Sequence, residues 1–567
     1  MKTRNKLYDK SRLRLLCLLT ALLGLFGAGQ TWAGNPTTLT VGGTDVLNGG
    51  YWTTDAESGT LTPDGASADN YNVYYDGNGT LTLKDATING TNTIYHVGAG
   101  IFASGDLTIV LEGSSTVKGV QDPNGETQSI RVEGNLTIQG GGSLTAQGAE
   151  TSSGSSYGIF VFGSFTQQSG SVTASGGNIN GNHTSTGLYV SDGTVTAQDG
   201  TLTATGGDTS GRSYGISANG SVTVSDAAVT ATGGTGNYSY GLYVDSSSPS
   251  VTLSGSGSLT ARSGSGTDTA VGIYLNNIWG STGSVTVGDN STLLTNSVIL
   301  YDNSFEAKPL TPTGNGSWLI YGQSNQTSAV GGTYTLEENI TIPSGAVVTI
   351  PAGSTLTIPE DKTLTADANQ LVVNGELVLE GTFDNAKELE GSGNLVLGEI
   401  TLTDDEGIGA YEDYQLKLKS KKVTYTRALS DNSQYGTICL PFVPTSVAGG
   451  QVTYYQVLEL ESDVITLVET DFEAGKPLFY RTSGTGSITF SAESAAGVEL
   501  VTIPATDSFM VGTMSVDTPT AGYFLKNGNI YPIADGDKVK VKPFRAYVKG
   551  QNDASQASVM SVNVARP

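Results

Sequence analysis

The residues best suited to do chemistry in this chain are aromatic. A Gly-Ile or Gly-Leu pair recurs along it, and the residue that follows is Phe102, Phe160, Tyr189, Tyr243 or Tyr274, with Arg131 and Ser217 at the equivalent places between them. In an alternating strand the flanking Ile or Leu points one way and the ring the other. The five rings are therefore expected on one outer face, about 4.8 Å apart wherever their strands are neighbours. Flat rings in a row stack on the apolar faces of sugars, and exposed aromatic strips are uncommon unless used. Tyr157, Tyr214 and Tyr240 stand just before the same glycine and extend the row. The competing explanation is a stack of rings that stabilises itself under corner loops.

Acids form the second candidate. Asp199, Asp226 and Asp289 fall in the corner after the middle segment of their repeats, and Asp199 and Asp226 lie on consecutive repeats. Calcium takes several oxygen ligands, and corner carbonyls could complete a shell begun by two carboxylates. Against this, Asp is a good corner residue in its own right.

Catalytic constellations are sparse. GSSYG (154–158) and GRSYG (211–215) match the text of a nucleophile elbow, which needs a strand before the serine and a helix after it. Here both copies sit at one corner of the repeat and run into a strand. His96 and His183 stand far apart in sequence. The basic residues between 34 and 300 are Lys84, Lys118, Arg131, Arg212 and Arg262, at different points of the repeat. A polysaccharide lyase needs a base and a cationic or metal group for the carbanion, and no such cluster is legible. A weak lyase or hydrolase stands as the third reading of function.

These candidates need a scaffold that aligns them, and the repeat supplies it. From Gly100 the pairs recur at Gly158, Gly187, Gly215, Gly241 and Gly272, with Ser129-Ile130 filling the gap. The step is nearly constant up to Gly215, shortens slightly to Gly241 and is longest from Gly241 to Gly272. Each unit holds three short alternating segments, such as GLYVSDG, TVTAQDG and TLTATGG, parted by Gly and Asp. Alternation predicts strands, and the spacing leaves no room for helices. The solution is an all-β, three-sided parallel β-helix (a β-solenoid), in which each strand pairs with its equivalent one coil away. Leu107, Leu136, Phe165, Val195, Val222, Val251 and Val285 should stack inward, each followed by an outward Thr.

The same reading divides the chain. Residues 34–78 are expected to cap the first coil, because an open end is an adhesive edge. Coils run over 79–300. Regularly spaced apolar anchors, Ile340, Val348, Leu356 and Leu364, predict an irregular solenoid and linker over 301–405. From 406 to 567 longer segments such as VTYYQVLEL (452–460) and DKVKVKPFRAYVK (537–549) predict an antiparallel β-sandwich.

Residues 1–33 read as a cleavable signal peptide: a basic start, an apolar run from Leu15 to Gly27, and Thr31-Trp32-Ala33 before the cut. The protein is then secreted or held at the cell surface, with no transmembrane segment after cleavage. Loss of six basic residues and Asp9 takes the net charge from −25 to −30. Such a charge repels nucleic acid and anionic membranes. Only Cys439 remains, so no intrachain disulfide is available.

Units such as GIFASGDLTIVLEGSSTVKG and YGISANGSVTVSDAAVTATGG resemble secreted bacterial carbohydrate-binding right-handed parallel β-helix proteins, whose fold is similar to that of pectate lyases. The resemblance covers roughly 37–300 and rests on repeat texture. It implies binding of acidic polysaccharide with calcium and little catalysis; no metal motif of the family maps onto this sequence, so Asp199 and Asp226 stand on spacing alone. QYGTICLPFVP (434–444) and FEAGKPLFYR (472–481) are similar to a C-terminal module common in secreted proteins of anaerobic gut bacteria. The expected function is therefore non-catalytic binding of polysaccharide along the aromatic face, calcium-assisted through Asp199 and Asp226. The alternative is a structural or adhesive surface protein with a protein partner.

Overall fold

The computed structural model describes residues 34–91, 98–121, 125–280, 282–322, 328–429, 434–461, 464–526, 529–534, 536–550 and 559–565. The signal-peptide reading lies outside them. The chain divides into two units between residues 327 and 328.

In the first unit each coil contributes one strand to each of three sheets. Face A begins its parallel run at Ile101–Ala103 and ends at Val298–Tyr301; face B runs from Thr80–Lys84 to Ser284–Val287; face C runs from Thr87–Asn89 to Ser317–Ile320. Neighbouring coils pair in register. On face A the column is Ile101, Ile130, Ile159, Leu188, Ile216, Leu242, Ile273 and Val298. Every member is buried. On face B, Leu107 through Val285 form the expected buried column, and Thr108, Thr137, Thr166, Thr196, Thr223, Thr252 and Thr286 stack beside it. Face C repeats the pattern, with Leu144, Val172, Leu202, Val229 and Leu259 inside and threonines between them. Each buried aliphatic side chain contributes roughly 1.5–3 kcal/mol, and the column repeats that contribution coil after coil.

The recurring glycines have a steric cause. A Cβ on Gly215 would lie 2.4 Å from the Thr232 nitrogen and 2.6 Å from the Gly241 carbonyl oxygen; one on Gly241 would lie 2.4 Å from the Arg262 nitrogen. Here face A passes so close to the end of face C that no side chain fits. Ser129, in the one exceptional coil, is fully buried, and its hydroxyl donates to the Val117 carbonyl at 2.7 Å.

The first coil is covered by antiparallel strands. Leu39–Val41 pairs with Ile101–Ala103, while Gly50–Thr54 pairs with Val73–Tyr75, which pairs with Thr80–Lys84.

The second unit opens with tighter coils. Tyr334, Leu356, Leu377 and Leu395 stack in register, at steps that are shorter than those of the first unit and shrink along the chain. The anchors Ile340, Val348, Leu356 and Leu364 are all buried. Asn394–Leu402 then pairs in parallel with Lys417–Ala428, which pairs antiparallel with Ser487–Glu499. Hydrogen bonding therefore runs without a break across the boundary expected at residue 405.

Beyond it, a five-stranded sheet and a four-stranded sheet enclose a core of Tyr455, Ile465, Leu467 and Phe479 on one side and Met510, Ile530, Ala546 and Val548 on the other. This is the sandwich, with one departure from antiparallel order: Ser561–Val564 runs parallel to Val464–Thr470. Within the segment 537–549 the strand covers only Arg545–Val548, and Val541 makes a single bridge to Asp517. Pro543 lacks a donor and Phe544 takes a left-handed φ of 58°, so no strand runs through them. The buried Arg427 guanidinium reaches the carbonyls of Thr437 (2.7 Å) and Phe544 (2.8 Å), and so ties this bend to the sheet. Cys439 is a core residue, its thiol pushed up to about 12 by burial. Among the described residues no helix is long and apolar enough to cross a membrane.

Replacing Gly215 by Val should lower unfolding stability by at least about 2 kcal/mol, since backbone on both sides must move. Gly141→Ala, where nothing lies within 4 Å of a Cβ, should stay within about 0.5 kcal/mol of the parent protein. Urea unfolding of both variants checks the contrast.

Candidate functional site: the aromatic face

Two outward rows flank the glycine column of face A. The first holds Gln128, Tyr157, Thr186, Tyr214, Tyr240 and Val271. The second holds Phe102, Arg131, Phe160, Tyr189, Ser217, Tyr243, Tyr274 and Ile299. Residues three apart normally face opposite sides of a strand. Here the strand bends at the glycine, so both rows face out and their rings close on each other. Ring centres lie 5.1 Å apart for Tyr157 and Phe160, and 5.4 Å apart for Tyr240 and Tyr243.

The five predicted rings are therefore not five equivalent exposed rungs. Phe160 and Tyr189 touch at 5.0 Å, within a cluster that includes Tyr157 and Phe162. Tyr243 and Tyr274 stack nearly parallel, 5.6 Å apart, within a second cluster with Tyr214 and Tyr240. Ser217 separates the clusters, and Tyr214 packs against Tyr243 at 5.2 Å beside that small residue. Phe102 is only 4% exposed and lies in register between Thr40 of the cap strand and Arg131 of the next coil. Phe160, Tyr189, Tyr243 and Tyr274 are half-buried, with ring surface still facing solvent.

Polar groups fix the rings. The Tyr243 hydroxyl donates to Asp245 at 3.3 Å, and Asn276 donates to both, at 3.0 Å each. The Arg131 guanidinium lies 5.3 Å from the Phe160 ring centre and 5.0 Å from that of Phe162, and pairs with Glu133 at 3.2 Å. Burial drives the phenols upward: Tyr157 and Tyr274 are each pushed up to about 12, and Tyr240 and Tyr243 also rise, Tyr243 further still because the Asp245 charge lies beside it.

At one end the strip becomes open. Tyr274 meets Tyr301 at 6.2 Å, and Tyr301 meets Phe305 at 6.5 Å. Phe305 is 70% exposed and Trp279 81%. Their two loops are joined by the Asn303 amide donating to the Gly280 carbonyl at 2.9 Å. Trp279, Tyr301 and Phe305 are not legible in the sequence as part of the strip, because they lie outside the Gly-Ile motif. The one signal is the step from Leu242 to Ile273, the longest between consecutive pairs, and the Trp that follows it.

The remaining candidates separate from the strip. Asp199 and Asp226 occupy one corner on neighbouring coils, since Thr201 pairs with Ala228 just after them. Asp226 accepts from the amide and hydroxyl of Ser256, at 2.9 and 3.1 Å, and Asp199 accepts from the Gly200 amide at 2.7 Å. Among the described residues no group of three or more His, Cys, Asp or Glu is arranged to hold a metal ion. Ser156 and Ser213, the serines of the elbow-like motifs, are fully buried and donate to the Ala149 and Gly207 carbonyls, at 2.9 Å each. They hold corners and are not presented as nucleophiles. His183 is exposed, and His96 lies outside the described residues.

The fold and site define an all-β solenoid with a ring-lined face and a terminal sandwich. No protein-family model and no curated protein matches the chain. Among solved structures, a double mutant of the tailspike protein of E. coli bacteriophage HK620 matches at 12% identity over 75% of this chain and 87% of its own, with a TM-score of 0.21. A second double mutant of that tailspike matches at 10% identity, 74% and 85% coverage and a TM-score of 0.16. The architecture rests on the strand pairing itself.

The raised phenols give a pH dependence. A tyrosine that ionises near 10 when unfolded and near 12 when folded keeps its contribution below pH 10 and loses it as the pH rises toward 12. Stability should therefore be flat with respect to the phenols up to about pH 10 and then fall. Urea midpoints at stepped pH should show the decline, and Tyr157→Phe should make it shallower.

Proposed function

We propose that this chain is a non-catalytic polysaccharide-binding protein, secreted or displayed at the cell surface. The observation that carries the reading is the aromatic strip of face A, in which Phe160, Tyr189, Tyr243 and Tyr274 are only partly buried and ring contacts continue through Tyr301 to the exposed Phe305, with the exposed Trp279 on the adjoining loop. Clusters pre-set by ring–ring contacts and the Tyr243–Asp245–Asn276 bonds offer stacking surface at small cost in side-chain freedom. Secretion rests on the character of residues 1–33. Because the Asp199 and Asp226 carboxylates already accept corner hydrogen bonds, this reading assigns the affinity to stacking and none of it to calcium.

Retention of the purified protein on a panel of neutral and acidic polysaccharides tests it. Tyr189→Ala, Tyr274→Ala and Trp279→Ala should each weaken retention about tenfold, the equivalent of about 1.4 kcal/mol. Circular dichroism should remain that of the parent protein in all three, and the melting temperature should be unchanged for the exposed Trp279→Ala, while Tyr189→Ala and Tyr274→Ala lose some ring packing. Chelator should leave retention unchanged, and a chelator-sensitive signal would move the site to the Asp199–Asp226 corner. Equal retention by all three variants, or none by the parent protein, would overturn the reading in favour of an adhesive rod with a protein partner.

A further inference from the structure

Between face C and face A each coil turns through a short corner loop, at 148–155, 176–183, 206–211 and 233–235. The loops stack: the Thr151 amide donates to the Asn178 carbonyl (3.1 Å), Ile179 to Asp208 (2.8 Å) and Thr209 to Thr235 (2.8 Å). Glycine is forced at their floor, for a Cβ on Gly177 would lie 2.1 Å from the Ala149 carbonyl oxygen and one on Gly207 2.4 Å from that of Gly177. The loops therefore stack backbone on backbone, and an open trough of about 1000 Å³ runs along their outer side.

The walls of this trough are polar and prearranged. Glu150, Asn178 and Asp208 stand on successive coils at the same place, spaced by about 4.8 Å per coil. That spacing is close to the length of one sugar residue. The Asn178 side-chain oxygen accepts from the Asp208 amide at 2.9 Å, and one Asp208 carboxylate oxygen accepts from the Thr235 amide at 2.7 Å. These bonds fix both side chains and leave the Asn178 amide nitrogen as donor and the second Asp208 oxygen as acceptor. Ser152 and Ser210 add hydroxyls. No cation and no aromatic ring lines the trough among the described residues, while two carboxylates do. Such a lining recognises hydroxyl groups and repels anions. Its position follows from the chain: loop 148–155 leads directly into Ser156–Val161, whose second residue is the ring-bearing Tyr157.

We infer that the trough is a second subsite for the same polysaccharide, taking an uncharged, hydroxyl-rich segment beside the rings, and that it selects neutral glycans over acidic ones. This rests on the polysaccharide-binding reading and corrects its expected preference for acidic ligands. The net charge of −25 acts in the same direction.

The test uses the full chain and two probes of matched length, a neutral galactan and polygalacturonate, with a neutral glucan and mannan in the same panel. The double substitution Ser152→Gln/Ser210→Gln narrows the trough without touching the corner bonds of Asn178 and Asp208. It should cut retention on the neutral ligand about fivefold, the loss of one or two neutral hydrogen bonds. Glu150→Ala, at an exposed side chain, should act in the same direction if the double variant folds poorly. Tyr189→Ala is measured in parallel. Loss with Tyr189→Ala but none with either trough variant would overturn the subsite and leave the ring reading standing. Stronger retention of the parent protein on polygalacturonate would overturn the selection for neutral glycans. No retention on any glycan would overturn both.

Discussion

Everything in the first unit depends on one constraint: successive coils must pair in register while three faces close around a narrow interior. Where face A meets the end of face C there is no room for a Cβ, and the glycine column is the result. A glycine at that point lets the strand bend. The bend turns two rows of side chains outward that a straight strand would place on opposite sides. The aromatic face is thus a by-product of the tightest point in the core.

The same geometry decides how exposed the rings are. A single outward row would stand free. Two rows brought together bury one another, and the competition between self-stacking and exposure is settled coil by coil. Beside Ser217 the Tyr214 ring settles almost completely into its neighbours, while at Tyr274 the face stays partly open. The strip ends in loops free of the register, and there the most exposed rings, Trp279 and Phe305, are found.

The solenoid is legible because its period and its inward columns are properties of sequence alone. Val195 followed by Thr196 says which way each points, and the near-constant spacing of the Gly-Ile pairs says what lies above and below. The bend is not legible. Alternation places Tyr157 and Phe160 on opposite sides, and only the clash at Gly158 shows otherwise. Loops carry still less signal. The trough arises from corners in which Glu150, Asn178 and Asp208 align, yet their unequal spacings blend into the general variation of Asx-rich turns. In the sandwich, Phe544 reads as a strand residue in an alternating stretch, and its left-handed backbone depends on contacts far away in sequence, such as Arg427.

The strand Lys417–Ala428 joins two kinds of order, parallel pairing on one flank and antiparallel on the other. The sandwich is therefore not a bead on a tether. Lys417–Ala428 seals the last tight coil, and stripping it away together with the sandwich by a protease would uncover the backbone of Asn394–Leu402 along its paired edge. Such an uncovered strand recruits whatever strand it next meets. For a molecule built by stacking like upon like, the terminal domain also serves as a chain terminator, the part that stops one solenoid from being continued by another.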